Sequence, residues 1–443
     1  MSLSSNLSQT SCDLLNPDVL LPRVRQASYQ MATLSEAQKN DALLVLATLL
    51  EDNTKLLLEA NAKDLASAEA DEISSVLAQR LKLDASKVAQ LAKGIRDVVK
   101  LPDPVGRILA KTQLDDGLIL EKKSVPLGVI GIIFESRPDV LPQILSLILK
   151  SGNAVVFKGG KEANHSNAAF MILVDKLQKQ CSWLPKDWAA MLDSREAIRG
   201  ILNYPQYVDL VIPRGSNALV QSVMEATKIP VLGHADGVCH LYVHSSADIE
   251  KALAVTLDAK IQYPAACNAL ETLLLDAAIA KDFLTRFVPM ACESGITLKG
   301  CEESVTLSSS VLPATEVDWL TEYGDLTLSV KVVANSDEAI AHINRYGSHH
   351  TDAILATDFS VLEQFFNSVD SACVFSNAST RFADGFRFGL GAEIGISTAK
   401  THARGPVGLE GLVIYKYCLK GSGQVVKDYV GENARPLQAK SLL

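Results

Sequence analysis

Residues 125–158 read VPLGVIGIIFESRPDVLPQILSLILKSGNAVVFK, and this stretch decides the fold. Residues 125–134 form a β-rich apolar run, residues 140–150 have the pattern of an apolar helix, and residues 154–158 again favour a strand. A strand, a helix and a second strand in this order predict a βαβ unit. The strands of such a unit are parallel and are covered on both faces.

The same alternation continues after this stretch. A helix is predicted over 165–177, a strand over 208–212 and a helix over 216–226, and a second alternating set runs from 238 to about 375. Before them, residues 14–100 are rich in Ala, Leu, Lys and Glu, with a capping box beginning at Ser35. A chain of 443 residues is too long for one ordinary core. We therefore predict an α/β fold with at least two lobes.

Two hairpins are also predicted. Asp115, Asp116 and Gly117 form a turn signal between residues 111–114 and 118–123. In the tail, β-like stretches flank residues 420–423 between 411 and 429, which predicts a second hairpin.

Composition excludes several classes of protein. The net charge of −9 argues against a general binder of nucleic acid or anionic membranes. Residues 1–13 are polar and no apolar run approaches a membrane span, so we expect a soluble cytoplasmic protein. The cysteines are scattered without a C-x-x-C pair, so we expect neither a disulfide framework nor a structural metal.

Two strand-to-helix turns of the first set carry anion-binding chemistry. The first is Lys158-Gly159-Gly160-Lys161 and the second is Pro213-Arg214-Gly215-Ser216. Glycines allow a close approach of the backbone, lysines supply charge, and a helix amino terminus attracts phosphates. Each turn taken alone is equally well explained as an ordinary loop or N-cap. Their presence in consecutive units favours a phosphate-rich ligand, although neither G-x-G-x-x-G nor a P-loop occurs.

Cys267 lies in Gln262-Tyr263-Pro264-Ala265-Ala266-Cys267-Asn268-Ala269, between a helical pattern over 248–260 and an apolar run over 270–275. A thiol on a loop among small residues leaves room for a substrate carbonyl, and the thiolate is a strong nucleophile. The alternative is that Cys267 is a small apolar filler. Glycine-dense polar loops at 134–139 and 388–406 favour a functional site elsewhere in the chain.

Together these pieces resemble the aldehyde dehydrogenase superfamily over nearly the whole chain. The stretches that carry the resemblance are residues 125–135, 262–269 and 391–411. The resemblance implies two Rossmann-like open-sheet lobes plus a small β-hairpin oligomerisation arm. It assigns 1–110 and 127–236 to an NADP-binding domain, 237–409 to a catalytic domain carrying Cys267, and 111–126 with 410–443 to the arm and tail.

The resemblance also implies roles for individual residues. Cys267 matches the nucleophile, and Gly215 with Ser216 matches the place where a helix start holds the pyrophosphate. Glu322 falls near the glutamate that contacts the nicotinamide ribose. Ser136 stands where the superfamily has its oxyanion Asn, so the side-chain half of the oxyanion hole is left open.

Two departures from the superfamily pattern narrow the chemistry. Lys161 stands where many NAD-dependent members carry the Glu that binds the adenine ribose, next to Lys158. An ammonium attracts a 2′-phosphate that a carboxylate would repel, so we predict NADPH as the cofactor. His234 stands where hydrolytic members carry a water-activating Glu. The absence of this Glu fits a reductase that keeps its thioester away from water. The alternative, that His234 is simply a buried loop histidine, explains its presence as well.

Within the superfamily, the closest resemblance is to the branch that reduces L-glutamyl 5-phosphate to L-glutamate 5-semialdehyde in proline biosynthesis. It implies a thioester on Cys267, a homo-oligomer, and glutamate 5-kinase as a candidate partner. Because a guanidinium binds carboxylate and phosphate groups bidentately, we expect Arg137 and Arg404 to hold the substrate's carboxylate or phosphate. The alternatives are another acylating or ordinary aldehyde dehydrogenase, which uses coenzyme A or water, and a catalytically inactive nucleotide-binding member.

Overall fold

The computed structural model describes residues 16–71, 75–192, 200–233 and 236–443. The chain divides into two compact units, the first made of Met1–Leu232 with Gly408–Leu443 and the second of Gly233–Val407. His234 falls outside the described residues.

The first unit opens with the predicted helical region. Its described helices are α1 (Pro17–Met31), α2 (Glu36–Asp52), α3 (Thr54–Ala70), α4 (Ser75–Leu81), α5 (Ala85–Lys100), α6 (Val140–Lys150), α7 (Asn164–Gln180) and α8 (Asn217–Ala226). The predicted capping box is confirmed, because the Ser35 hydroxyl accepts from the Gln38 N–H and the Gln38 side chain accepts from the Ser35 N–H.

The strands of the first unit form two sheets. They are β1 (Ile108–Asp115), β2 (Leu118–Pro126), β3 (Val129–Phe134), β4 (Ala154–Gly159), β5 (Ala189–Met191), β6 (Leu210–Arg214), β16 (Val413–Lys420) and β17 (Lys440–Ser441). The sheet β5-β4-β3-β6 is parallel throughout. Every residue of β3 and β4 is buried, as expected for strands covered on both faces. The predicted βαβ unit is confirmed.

The other sheet of this unit is antiparallel, in the order β16-β2-β1-β17. The predicted first hairpin is confirmed, with Gly117 at φ +70° in its turn. The predicted tail hairpin is wrong. β16 pairs with β2 from Val413 to Lys420, and the next strand of the chain, β17, pairs with β1 at the opposite edge. The tail therefore extends an existing sheet instead of pairing with itself.

The second unit contains a parallel sheet of seven strands. Its described helices are α9 (Ile249–Ile261), α10 (Ala280–Glu293), α11 (Glu302–Leu307), α12 (Ser336–Tyr346) and α13 (Phe359–Ser368). Its strands are β7 (Cys239–Val243), β8 (Leu270–Asp276), β9 (Thr297–Gly300), β10 (Val311–Pro313), β11 (Thr327–Val333), β12 (Thr351–Leu355), β13 (Cys373–Ser376), β14 (Gly395–Ser397) and β15 (Gly405–Val407). The order β10-β9-β11-β8-β7-β12-β13 places β8 at the centre, where it is buried along its whole length.

Candidate active site

Cys267 lies on the loop that joins α9 to β8, as the sequence predicts. Cys267 forms no disulfide with the described residues and is partly exposed. The Ala266 N–H donates to the Tyr263 carbonyl at 3.1 Å, and the Ala269 N–H donates to the Ala266 carbonyl at 2.8 Å. These turns place Cys267 at the amino end of the central strand. Open sheets usually bind ligands at the carboxyl ends of their strands, so this site lies at the other edge.

Three contacts fix the backbone of the Cys267 loop. A Cβ on Gly237 would lie 2.1 Å from the Cys267 carbonyl oxygen, so only glycine fits there without displacement. The Cys239 thiol donates to the same carbonyl at 3.3 Å, and burial raises the pKa of Cys239 well above its usual range. The Asn268 side-chain amide donates to the Ala383 carbonyl at 2.8 Å. Cys239 therefore stays protonated as a structural donor beside the more accessible thiol of Cys267.

Sequence reasoning missed Arg381, which lies on a short 3₁₀ helix, Thr380–Phe382. Its side chain is only 8% exposed. The Nε atom donates to Gln262 Oε1 at 2.9 Å, and the guanidinium carbon lies 5.8 Å from the centre of the Tyr263 ring. Burial lowers the pKa of Arg381, and the nearby Arg387 lowers it further, while Cys267 acts in the opposite direction. Arg381 is therefore a buried cation next to the Cys267 loop.

A pair of buried side chains flanks the Cys267 loop, one before it in the sequence and one after it. Lys260 lies in the last turn of α9 and Glu271 is the second residue of β8, and their side chains meet at 2.7 Å with no exposure of either. The other Glu271 oxygen accepts from the Gly324 N–H at 3.3 Å. Burial raises the pKa of Glu271 to about 7, against the opposing effect of Lys260. This pair joins both ends of the Cys267 loop to the segment that carries Glu322.

Glu322 precedes a well-anchored turn in the second unit. The Tyr323 hydroxyl donates to Asp318 Oδ1 at 2.8 Å and lies 2.9 Å from the Ser329 hydroxyl. Glu322 acts electrostatically on Glu271, since it contributes to the raised pKa of that carboxyl after burial. The predicted cofactor contact Glu322 and the predicted nucleophile Cys267 are thus both linked to the Lys260–Glu271 pair.

In the first unit, the carboxyl ends of three strands meet. Phe134 at the end of β3 is paired with Gly159 of β4 and with Arg214 of β6. The predicted anion-binding residues therefore share one edge of the parallel sheet, where Lys158 lies near the end of β4 and Lys161, Gly215 and Ser216 follow their strands. Lys158 is buried and its ammonium donates to the Gly159 carbonyl, whereas Lys161 is exposed.

A carboxylate already occupies the predicted pyrophosphate position. Ser216 caps α8, with its hydroxyl accepting from the Leu219 N–H, and the Ser216 N–H donates to Glu135 Oε2 at 2.9 Å. A Cβ on Gly215 would lie 2.5 Å from the same oxygen. The Ser216 N–H at this helix start therefore donates to a carboxylate oxygen of the protein itself.

A second carboxylate holds the predicted oxyanion residue. Both the backbone N–H and the hydroxyl of Ser136 donate to Glu162 Oε1, at 2.7 and 2.8 Å. Ser136 also has φ +43°, an uncommon conformation for a residue other than glycine. Arg137 donates to Asp139 Oδ2 at 3.2 Å. Neither carboxylate partner of Ser136 and Ser216 was foreseen from the sequence, although Glu135 and Glu162 both adjoin the predicted turns.

Arg404 lies in the second unit and is bound there by protein oxygens. Its guanidinium pairs with Asp370 Oδ1 at 3.1 Å and also donates to the carbonyls of Asp370 and Thr398. Its position is thus explained by the packing of its own loop, and these contacts do not join it to Cys267.

Two negative findings concern the described part of the chain. No cluster of His, Cys, Asp or Glu there could hold a metal ion. None of its helices combines the length and apolar character needed to cross a membrane.

Comparisons with known proteins agree with this architecture. The sequence pattern of the aldehyde dehydrogenase family matches residues 23–311. The chain is 52% identical over 423 residues to a gamma-glutamyl phosphate reductase from Synechococcus sp. (strain JA-3-3Ab), covering 95% of this chain and 93% of the relative. A protein of the same name from Methanosarcina acetivorans is 49% identical, covering 95% of this chain and 96% of the relative.

Solved structures give the same result. The crystal structure of gamma-glutamyl phosphate reductase from Thermotoga maritima has a TM-score of 0.90 and 39% identity, covering 93% of this chain and 99% of that chain. An acetylating aldehyde dehydrogenase from Geobacillus thermoglucosidasius has a TM-score of 0.61 at 15% identity, covering 92% of this chain and 97% of that chain, and shares the fold alone. The predicted fold class is confirmed, and the chain belongs to the aldehyde dehydrogenase family, grouping within it with the gamma-glutamyl phosphate reductases.

Proposed function

We propose that this protein reduces L-glutamyl 5-phosphate to L-glutamate 5-semialdehyde and phosphate with NADPH, through a thioester on Cys267, in proline biosynthesis. The observation that carries the proposal is a partly exposed thiol on an anchored loop, in a chain about half identical to gamma-glutamyl phosphate reductases over 95% of its length. The alternative acylating dehydrogenase has support only from distant structures that share the fold.

The first chemical step belongs to Cys267. Its thiolate attacks the acyl carbon, the new S–C bond forms, and the C–O bond to phosphate breaks with its electron pair leaving on phosphate, which then takes a proton from water. Phosphate is a good leaving group, so no strong general acid is needed. The thioester divides one difficult displacement into two easier steps.

The Cys267 N–H and the Ser136 hydroxyl are the proposed donors to the oxyanion that forms during the attack. Donors fixed toward a developing charge contribute strongly to catalysis. The Ser136 hydroxyl donates to Glu162, so this role requires it to exchange partners. Arg137 and Arg404 remain the proposed ligands for the substrate's carboxylate or phosphate, each after release from its own Asp partner.

The first unit fits a dinucleotide phosphate. Ser216 and Gly215 present a helix start that holds a carboxylate oxygen, and Lys158 and Lys161 follow the neighbouring strand. Glu162 follows Lys161, but its carboxylate accepts from Ser136, which leaves the exposed Lys161 ammonium to attract a 2′-phosphate. Glu322 is the proposed contact to the nicotinamide ribose. When bound, NADPH supplies the hydride that reduces the thioester.

The cofactor preference is tested by kcat/KM for NADPH and NADH. We expect wild type to prefer NADPH, and Lys161→Glu to reverse or abolish this preference because a carboxylate repels the 2′-phosphate. Lys179→Glu, on the exposed end of α7, makes the same charge change away from the turn and should leave the ratio unchanged. A wild-type preference for NADH would refute this part of the proposal.

The acyl acceptor separates the proposed enzyme from its relatives. Oxidation of the semialdehyde should require phosphate, whereas coenzyme A or water as acceptor would support the alternative dehydrogenases.

A catalytically inactive member is tested by thiol alkylation: Cys267 should react, substrate should protect it, and Cys267→Ala should lose turnover while still binding NADPH. An unreactive Cys267 would favour the inactive alternative.

We further propose a homo-oligomer in the cytoplasm, formed through the antiparallel sheet. Alternate residues of β16 are exposed and apolar, with Tyr417 62% exposed and Leu419 58% exposed. Tyr417→Asp should lower the mass measured by light scattering, whereas an unchanged mass would argue against this surface.

Contact with glutamate 5-kinase, which makes the acyl phosphate, is proposed on chemical grounds and is tested by sedimentation of the two proteins together.

A further inference from the structure

Arg381 is a charged side chain held in the interior, and the described carboxylates of Asp384 and Asp258 act on it electrostatically without forming an ion pair. Its described hydrogen-bond acceptor is the neutral Gln262 amide oxygen, and among the described residues no carboxylate lies within ion-pair distance of it. Removing a cation from water is costly, so a buried cation normally has a counter-charge. A guanidinium held in this way is suited to bind an anion that arrives from outside the protein.

The position of Arg381 relative to the Cys267 loop is fixed by contacts on both sides of the thiol in sequence. Gln262 and Tyr263, which precede Cys267, contact the Arg381 side chain. Asn268, which follows Cys267, donates to the carbonyl of Ala383. The segment that carries Arg381 therefore spans the loop, and the guanidinium faces the same loop that presents the nucleophile.

We propose that Arg381 binds the phosphate of the acyl phosphate next to Cys267 and stabilises it as it leaves. This inference rests on the proposed function. As the thiolate forms the S–C bond, the C–O bond breaks and its electron pair adds negative charge to phosphate before a proton arrives from water. A cation at this point stabilises the transition state more than the bound substrate, and therefore accelerates acylation.

The neighbouring arginines are less suited to this role. Arg404 already has Asp370 as its counter-ion. Arg387 donates to the Arg381 carbonyl at 2.7 Å and lies 4.0 Å from Asp384, so it supports the turn on which Arg381 sits. Arg381 combines burial, proximity to the Cys267 loop and the absence of a carboxylate partner among the described residues.

The first test needs neither substrate nor cofactor. The rates at which iodoacetate, an anion, and iodoacetamide, a neutral reagent, alkylate Cys267 are measured at low salt on the peptide that contains it. Arg381→Gln should lower the iodoacetate-to-iodoacetamide rate ratio roughly tenfold, the effect of losing one charge-assisted contact. Arg381→Lys keeps the charge, so its iodoacetate-to-iodoacetamide rate ratio should lie between that of wild type and that of Arg381→Gln. Arg345→Gln, on the exposed surface of α12, should match wild type.

The second test measures the KM for phosphate during semialdehyde oxidation. We expect Arg381→Gln to raise this KM roughly 10- to 100-fold while changing the KM for NADP⁺ little. If Arg381→Gln does not fold, Arg381→Lys carries both tests, with a smaller rise in the KM for phosphate. An unchanged rate ratio together with an unchanged KM would overturn the proposal. If the proposed function itself is wrong, wild type shows no phosphate dependence, while the alkylation ratio still reports the anion site.

Discussion

The two predicted anion-binding regions satisfy their donors in opposite ways. At the edge of the parallel sheet of the first unit, the Ser216 N–H donates to the carboxylate of Glu135 and the Ser136 hydroxyl donates to that of Glu162. Around the Cys267 loop, the Arg381 guanidinium has only a neutral amide as its described partner. The first region fits a ligand that binds and dissociates, because internal carboxylates accept the hydrogen bonds of these donors when no ligand is bound. The second keeps a positive charge in place for chemistry.

The largest expected effect concerns the buried charges of the second region. Burial raises the pKa of Glu271 from an ordinary value of 4.5 to about 7, so the folded protein keeps this proton where the unfolded chain loses it. A raised pKa contributes stability that is fully present below the ordinary value and is lost as the pH rises toward 7. The loss amounts to about 3 kcal/mol at 1.36 kcal/mol per unit.

Glu271→Gln removes this titration. We expect the unfolding free energy of wild type minus that of the variant to fall by about 3 kcal/mol between pH 5 and pH 8, measured by urea unfolding. A difference that grows with pH would mean that the ionised pair is the stabilising form, and would contradict the account of this region.

The next effect concerns the anchoring of the nucleophile. Gly237→Ala places a Cβ 2.1 Å from the Cys267 carbonyl oxygen, so the loop must move. Overpacking of this kind typically costs about 1–3 kcal/mol. We expect a lower unfolding free energy and slower alkylation of Cys267 by iodoacetamide. An unchanged alkylation rate would show that Gly237 does not position the thiol.

The corresponding change in the first region tests its carboxylates. Glu135→Gln removes a negative charge from the oxygen that Ser216 binds, and a cofactor phosphate should then compete more easily for the same N–H. We expect the Kd for NADPH, measured by fluorescence titration, to fall about two- to fivefold, because charges at helix starts contribute about 0.3–1 kcal/mol. Glu225→Gln, on the exposed end of α8, should leave the Kd unchanged. Weaker binding by Glu135→Gln would mean that Glu135 takes part in holding the cofactor.

An effect of similar size serves as a control for the glycine argument. Gly94 is exposed within α5, and a Cβ there would meet nothing within 4 Å. Gly94→Ala should therefore stabilise the protein by about 0.5–1 kcal/mol, because glycine is a poor helix former. Destabilisation by Gly94→Ala would weaken the contrast with Gly237.

Local sequence signals predicted the parts of the molecule that depend on neighbouring residues. The capping box at Ser35, the hairpin at Gly117 and the loop of Cys267 between α9 and β8 all follow from residues close together in the chain. The tail hairpin was wrong because a glycine-rich turn signal between β-like runs does not specify the strand with which each run pairs. Here β2 and β1 offered the pairing edges.

Long-range packing explains what the sequence did not predict. Arg381 contacts Gln262 across 119 positions of the chain, and no pattern near Cys267 points to it. Glu271 offered a local signal, because it is a charged residue inside a strand that is buried along its whole length, and burial of a charge requires a partner. The partner Lys260 lies on the preceding helix, so a helix–loop–strand model with both residues facing inward would have found the pair.

The most direct test of the account is a burst experiment with semialdehyde and NADP⁺ in the absence of phosphate. We predict one NADPH formed per Cys267, because the thioester forms and then has no acceptor, followed by steady turnover once phosphate is added. Cys267→Ala should give neither phase, with turnover lowered by at least about a thousandfold. Steady turnover without phosphate, or a burst that survives in Cys267→Ala, would contradict the account.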